Sequence, residues 1–246
     1  MNIDNVDTLQ RYKAIACSSP TGGCLEENLN GNAVLYEDVL RLVNNHPAMK
    51  KFKEPSSILM IDIETFSTQI NAQIAEVALV YTFNRESNTT DKATTFHAYV
   101  DSNSKLDRFH VDKATVDFHS LNKTGVLTEN SKAISNNTAV HVLDLFKEIN
   151  RLTWSLPSDT IIYSFGLNFD IPILNYAALQ GEDKLLLPSY RNLRCLRTEL
   201  ATAMSLGFRY DKKPTAHNAL DDCIQQCELL FSIFDFYKRI TNGADN

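Results

Sequence analysis

Glycine and proline are scarce in this 246-residue chain, with 8 and 7 respectively, and there is a single tryptophan. So little Gly and Pro excludes collagen-like order, and a chain with 43% hydrophobic and 22% charged residues is too apolar for wholesale disorder. No apolar run approaches the roughly 18 residues of a membrane span, which sets membrane insertion aside. Basic residues are the minority: 24 Lys and Arg stand against 30 Asp and Glu, a formal net charge of −6. That balance excludes a basic protein that coats nucleic acid. The cysteines (Cys17, Cys24, Cys195, Cys223 and Cys227) are odd in number and scattered. With Asp4 and Asp7 near the start and no apolar signal core, the chain is expected to be intracellular with free thiols. Their spacing also lacks the close pairs of a structural zinc site.

What is present divides unevenly. Ser18 to Gly31 reads as a loop, Leu35, Val39, Leu42 and Val43 mark a helix ending before Pro47, and Lys50 to Pro55 reads as a linker. Residues 1–55 are thus expected to form a partly helical extension, followed by a domain over 56–240 and a tail over 241–246. From Ser57 the pattern turns to strands at Ile58 to Ile63, Ile74 to Phe83 and Phe96 to Val100, a succession that predicts an antiparallel meander. A helix is predicted over Ala139 to Leu152, a buried strand over Thr160 to Ser164, and helices over Phe169 to Gln180, Leu196 to Leu206 and Ala219 to Ile240. Asp170 fits an N-cap there and Pro172 the first turn, while Gly207 fits a helix stop. The fold class is α/β, a mixed central sheet flanked by helices.

Four acidic residues stand where a purely structural sequence rarely puts them. Asp62 and Glu64 interrupt the end of the first apolar strand, and alternate residues of a strand share a face, so the two project together. Such a pair repels unless a cation lies between, although taken alone it is also compatible with chance. Asp170 follows Gly166, Leu167, Asn168 and Phe169 at a strand-to-helix turn, where open α/β sheets place ligands, and capping is the simpler reading of it. His217 and Asp222 open the last helix; on their own they read as a structural histidine and a dipole partner.

The conjunction says more than its parts. Ile61-Asp62-Ile63-Glu64-Thr65, Ala75-Glu76-Val77-Ala78, Phe169-Asp170-Ile171-Pro172-Ile173-Leu174, Arg194-Cys195-Leu196-Arg197-Thr198 and Ala216-His217-Asn218-Ala219-Leu220-Asp221-Asp222 occur in this order. Together they resemble the DEDDh 3′-5′ exonucleases of the ribonuclease H-like superfamily. Within them the likeness is to the branch of bacteriophage exonuclease A and the mycobacterial RNase AS-type exoribonuclease. It covers about residues 57 to 235. The Tyr type of this family would have Tyr at position 218, where this chain has Asn218. Two departures stand out: Thr115-Val116-Asp117-Phe118-His119 replaces a Thr-x-x-Trp-Trp run, leaving Phe118 and His119 as the aromatic wall, and Cys195 replaces an Asp.

The resemblance implies a ribonuclease H-like sheet with two Mg²⁺ or Mn²⁺ ions held by Asp62, Glu64, Asp170 and Asp222. His217 would be the general base, Glu64 would stand near the attacking water, and Asp221 would be an accessory. Thr65, Phe66, Phe118, Asn168 and Arg197 are the candidate substrate contacts. The expected partner is single-stranded nucleic acid with a free 3′ end, DNA slightly favoured, cleaved to nucleoside 5′-monophosphates. A homodimer is expected by analogy, and a cytoplasmic setting in a bacterial or phage-infected cell. Alternatives are an exoribonuclease or short-oligonucleotide hydrolase, a phosphoesterase acting on a small phosphate, and a non-catalytic nucleic-acid-binding scaffold. Two bound ions would bring the charge from −6 to about −2. Residues 184 to 213 hold seven basic side chains against Glu199 and Asp211, a candidate source of phosphate attraction.

Overall fold

Unbroken apolar sequence from Ile58 places β1 (Ser57–Thr65) at the centre of the sheet, where both faces are covered and only Asp62 and Glu64 open partly to solvent. The computed structural model describes residues 52–83, 93–102, 108–180, 184–185, 187, 190–211 and 217–241. The N-terminal loop and helix expected before Lys50 lie outside them. Residues 53–236 form one compact unit, which contains the whole candidate site.

β1 pairs antiparallel with β2 (Ile74–Phe83), and β2 pairs antiparallel with β3 (Thr94–Asp101), the expected meander. α1 (Lys113–Leu121) and α2 (Val126–Ser135) follow, then β4 (Val140–His141), α3 (Val142–Trp154), β5 (Ile161–Ser164), α4 (Leu167–Gln180), β6 (Leu193–Cys195), α5 (Leu196–Ser205) and α6 (Ala219–Thr241). β4, β5 and β6 run parallel to their neighbours, giving a mixed sheet of order β4-β3-β2-β1-β5-β6.

The main core lies on one face of this sheet. Leu59, Ile61 and Ile63 of β1 pack there with Leu145, Phe146 and Ile149 of α3 and Ile171, Leu174 and Ala178 of α4. α6 covers the other face: Cys223 Sγ reaches the Ala78 carbonyl at 3.4 Å, and the Phe234 and Tyr163 ring centroids are 6.4 Å apart. Its buried face runs through Cys223, Cys227, Leu230 and Phe234, whereas Leu220 and Ile224 are half-buried. Among the described residues no helix is long and apolar enough to cross a membrane, and Cys195, Cys223 and Cys227 are free thiols.

Four elements escaped the residue pattern. α1 buries only His119, and α2 buries Val126, Asn130 and Ala133, so neither carries an apolar stripe. β4 and β6 are two and three residues long. The start of α4 is a correction. Phe169 N and Asp170 N both donate to the Gly166 carbonyl, at 2.6 and 3.2 Å, so the helix begins at Leu167 and Asp170 lies inside it rather than capping it. Pro172 therefore falls in the second turn; the carbonyl it leaves without a donor belongs to Asn168, an exposed residue.

Asn130 pins α2 to the sheet, its amide donating to the carbonyls of Ala75 at 2.7 Å and Val100 at 3.0 Å. Asn130→Ala strands both carbonyls in a buried setting, at about 1 to 3 kcal/mol each. The expected outcome is a lower urea midpoint with an unchanged slope; a shift below about 0.5 kcal/mol would show that the pin is dispensable.

Candidate active site

Three elements bring the acids together. β1 contributes Asp62 and Glu64 from the side opposite its core residues, the first turn of α4 contributes Asp170, and the first turn of α6 contributes Asp222. All four line a cavity of about 710 Å³, together with His217 and Arg197. One face of α6 forms a wall of it, through Asp222, Gln225, Gln226 and Leu229, at the i, i+3, i+4, i+7 spacing of a helix. A second cavity of about 490 Å³ adjoins the first and shares Ile63, Glu64 and Phe169 with it; Thr65, Thr115, Phe118 and His119 are among its lining.

The carboxyl groups are held against their own electrostatics. Burial, then the charges of Asp222, Glu76 and Asp170, pushes Glu64 up to about 8. Burial also lifts Asp62 well above the usual carboxylate range, and the charges of Asp170, Glu64 and Asp222 act the same way. Gln226 opposes this, its Nε2 donating to Asp62 Oδ1 at 2.8 Å. Asp170 is raised to about 6 by burial, held back by hydrogen bonds from backbone amides.

This donor set fits a divalent cation. Glu64, His217 and Asp222 each offer a ligand atom, all within 4.8 Å of one another. Oxygen donors predominate, which suits a hard ion. Cys223 is close enough to feel the charge of Asp62, yet its thiol is buried, pushed upward by that burial and engaged with Ala78, so it offers no soft ligand.

His217 stands at the cleft with its backbone in the left-handed region, at φ 48°. Its Nδ1 is 4.0 Å from Glu64 Oε1, and the Phe118 ring meets its imidazole edge-on at 5.3 Å. Asn218 follows, its Oδ1 accepting from Asp221 N at 3.1 Å as a helix cap does. Asp221 itself is exposed.

The candidate substrate contacts separate. Phe118 is 42% exposed and lines the second cavity. Arg197 lines the first, its guanidinium 5.1 Å from the Phe165 ring centroid. Thr65 borders the second cavity but is buried, with its hydroxyl donating to the Ser67 carbonyl at 2.6 Å. Phe66 is a correction: its ring packs with Ala75 and Val126, its N–H donates to Gln73 and its carbonyl accepts from Asp112, leaving neither ring nor backbone for a nucleotide. Asn168 is exposed and lines neither cavity; its neighbour Phe169 lines both. His119 is likewise no open wall, being 4% exposed and bonded to the Thr65 carbonyl and the Thr124 hydroxyl, each at 3.0 Å. Of the basic side chains between 184 and 213, Arg197 alone among the described residues lines the cleft.

Two residues that the pattern left without a role stand beside the acids. Gln226 supports Asp62, and its signal is a spacing of one helical turn from Asp222. Glu76, 1% exposed, pairs across the sheet with Glu64 at a bulge where the register shifts between Glu64 and Thr65. Its signal is a lone carboxylate inside the apolar run Ile74 to Phe83.

The mixed sheet brings carboxylates near the end of β1 and at two helix starts together with His217, the arrangement that the sequence resemblance led one to expect. The sequence model of the Rv2179c-like 3′-5′ exoribonuclease domain matches residues 57–234, and the chain belongs to that family. No curated protein matches it. Among solved structures, Escherichia coli Exonuclease I in complex with a 5cy-dT13 oligonucleotide is 15% identical at a TM-score of 0.55, covering 77% of this chain and 43% of that one. Exonuclease I in its apo form is 17% identical at a TM-score of 0.51, covering 74% and 44%. The cell-death related nuclease CRN-4 is 17% identical at a TM-score of 0.48, covering 71% and 62%. The chain thus spans less than two thirds of each of these three structures.

The raised carboxyls fix the sign of a pH effect. Without metal, folded Glu64 keeps its proton up to about pH 8, whereas the unfolded chain releases it near its ordinary value of 4.5. The folded state binds more protons across that window, so stability falls as pH rises through it. A divalent cation favours the ionised carboxylates and reverses the loss. Melting temperature in EDTA is expected to fall between pH 5 and pH 8, and excess Mg²⁺ to raise it more at pH 8. Equal stabilisation by Mg²⁺ at both pH values would contradict this account.

Proposed function

We propose that the chain is a divalent-metal-dependent 3′-5′ exonuclease that releases nucleoside 5′-monophosphates from single-stranded nucleic acid, with RNA as the primary substrate. The observation that carries this reading is the convergence of Asp62, Glu64, Asp170, Asp222 and His217 on one cavity that adjoins a second, partly aromatic one. The family match supports RNA. Preference for DNA, expected from the sequence, has Exonuclease I bound to oligonucleotides on its side, and at 15% identity that likeness carries only the fold.

The four carboxylates would hold two Mg²⁺ or Mn²⁺ ions, which would supply Lewis acidity toward the attacking water and the leaving oxygen. His217 takes the proton of that water. A neutral imidazole nitrogen can accept such a proton. The edge-on ring of Phe118 limits how the imidazole can turn. Arg197, stacked on Phe165, meets a phosphate from the cavity wall. The second cavity takes the terminal nucleoside: Phe118 gives one face for base stacking, and Phe169, shared by both cavities, stands beside the scissile bond.

Matched 5′-labelled RNA and DNA oligomers, incubated with Mg²⁺, separate the readings. The expected result is a ladder shortening from the 3′ end, faster on RNA, with mononucleotide products and none in EDTA. Asp62→Ala should abolish release, and His217→Ala should lower it by roughly 100-fold or more. Equal release by wild type and both variants would remove this site from the reaction. Faster loss of DNA would reverse the substrate order, and cleavage confined to dimers and trimers would identify a short-oligonucleotide hydrolase.

A further inference from the structure

We infer that Glu76 is a positioning residue for His217, tying the entrance of α6 to the sheet so that the imidazole is held over the carboxylates. The inference rests on His217 acting as the base proposed above. A single oxygen of Glu76, Oε1, accepts three hydrogen bonds: from His97 Nε2 at 2.6 Å, from Asn218 Nδ2 at 2.8 Å and from Ala219 N at 3.2 Å. Two of these donors are the residues that directly follow His217. Glu76 is itself fixed in β2, opposite Glu64, whose Oε1 lies 4.0 Å from His217 Nδ1. Base and carboxylate are therefore referred to neighbouring positions on the same pair of strands.

The tie has strain to hold. His217 adopts φ 48°, a region that costs a side-chain-bearing residue free energy and persists where its surroundings over-determine it. Glu76 supplies part of that determination from the sheet side. Asn218 couples it to the helix, since the same side chain gives Nδ2 to Glu76 and takes Asp221 N on Oδ1.

Steady-state kinetics of the full chain on a labelled oligomer, at saturating Mg²⁺, tests the assignment. Glu76→Ala should lower kcat roughly 10- to 100-fold, the scale of a small misplacement of a reacting group, with KM and the Mg²⁺ half-saturation changed by less than about twofold. Glu76→Gln keeps an acceptor oxygen and should recover most of kcat. In the His217→Ala background, Glu76→Ala should cost nothing further, because the group it positions is gone. Asn218→Ser retains an oxygen to cap α6 but cannot reach Glu76; it should show the same kcat loss, and it decides the matter if Glu76→Ala does not fold. An undiminished loss in the His217→Ala background overturns the inference, as does a shifted Mg²⁺ half-saturation with unchanged kcat, which would make Glu76 an electrostatic partner of Glu64. If His217→Ala alone keeps full kcat, the role of His217 fails first, and the two failures are distinguishable.

Discussion

Repulsion among Asp62, Glu64, Asp170 and Asp222 is the constraint around which the rest of the site is arranged. Each would ionise readily in water. Side by side in a partly desolvated cleft, Asp62, Glu64 and Asp170 are raised by burial, and neighbouring charges add to the rise of Asp62 and Glu64; the protein answers with fixed supports: Gln226 on Asp62, and backbone amides on Asp170. These supports come from the sheet and from two helices that the core already holds rigid. Folding energy from the buried apolar layer thus sustains an arrangement that its polar members oppose.

Two cavities lie side by side at one strand end. Glu64 belongs to both cavities, and so does Phe169, so the first motif and the turn before Asp170 form a common wall. The acid-rich cavity concentrates negative charge, while the adjoining one is lined largely by threonines and aromatic rings. A strand end could meet phosphate chemistry on one side and base contact on the other without either site intruding on its neighbour.

Most of this frame was legible because its key residues break local rules. Carboxylates in the apolar strand β1, and His217 before an amphipathic helix, are departures that periodicity exposes, and the meander and the last helix followed from apolar spacing. Where reading failed, the determinant was long-range or faint. Phe66 looks like a cleft residue beside the first motif, but the chain turns after Thr65 and takes the ring into a small core with Ala75 and Val126. Asp170 resembles a cap because nothing local reveals that the Gly166 carbonyl starts the helix earlier. Glu76 finds Asn218 across 142 positions of sequence, a distance no local pattern bridges. α1 and α2 were faint because their buried sides include His119 and Asn130, polar residues satisfied by hydrogen bonds to the sheet and its loop.

The alternation of β1 has an evolutionary consequence. Its odd-numbered residues Leu59, Ile61 and Ile63 belong to the core, while Asp62 and Glu64 face the cleft. Substitutions can therefore drift on either side independently, an aliphatic exchange beneath the sheet leaving the acids where they are. Insertions and deletions have no such freedom: one residue gained or lost between Leu59 and Glu64 reverses the parity, driving carboxylates into hydrocarbon and isoleucines into the cleft. Descendants of this strand can vary in composition but are locked in length, and the lock protects the fold and the chemistry through the same two-residue repeat.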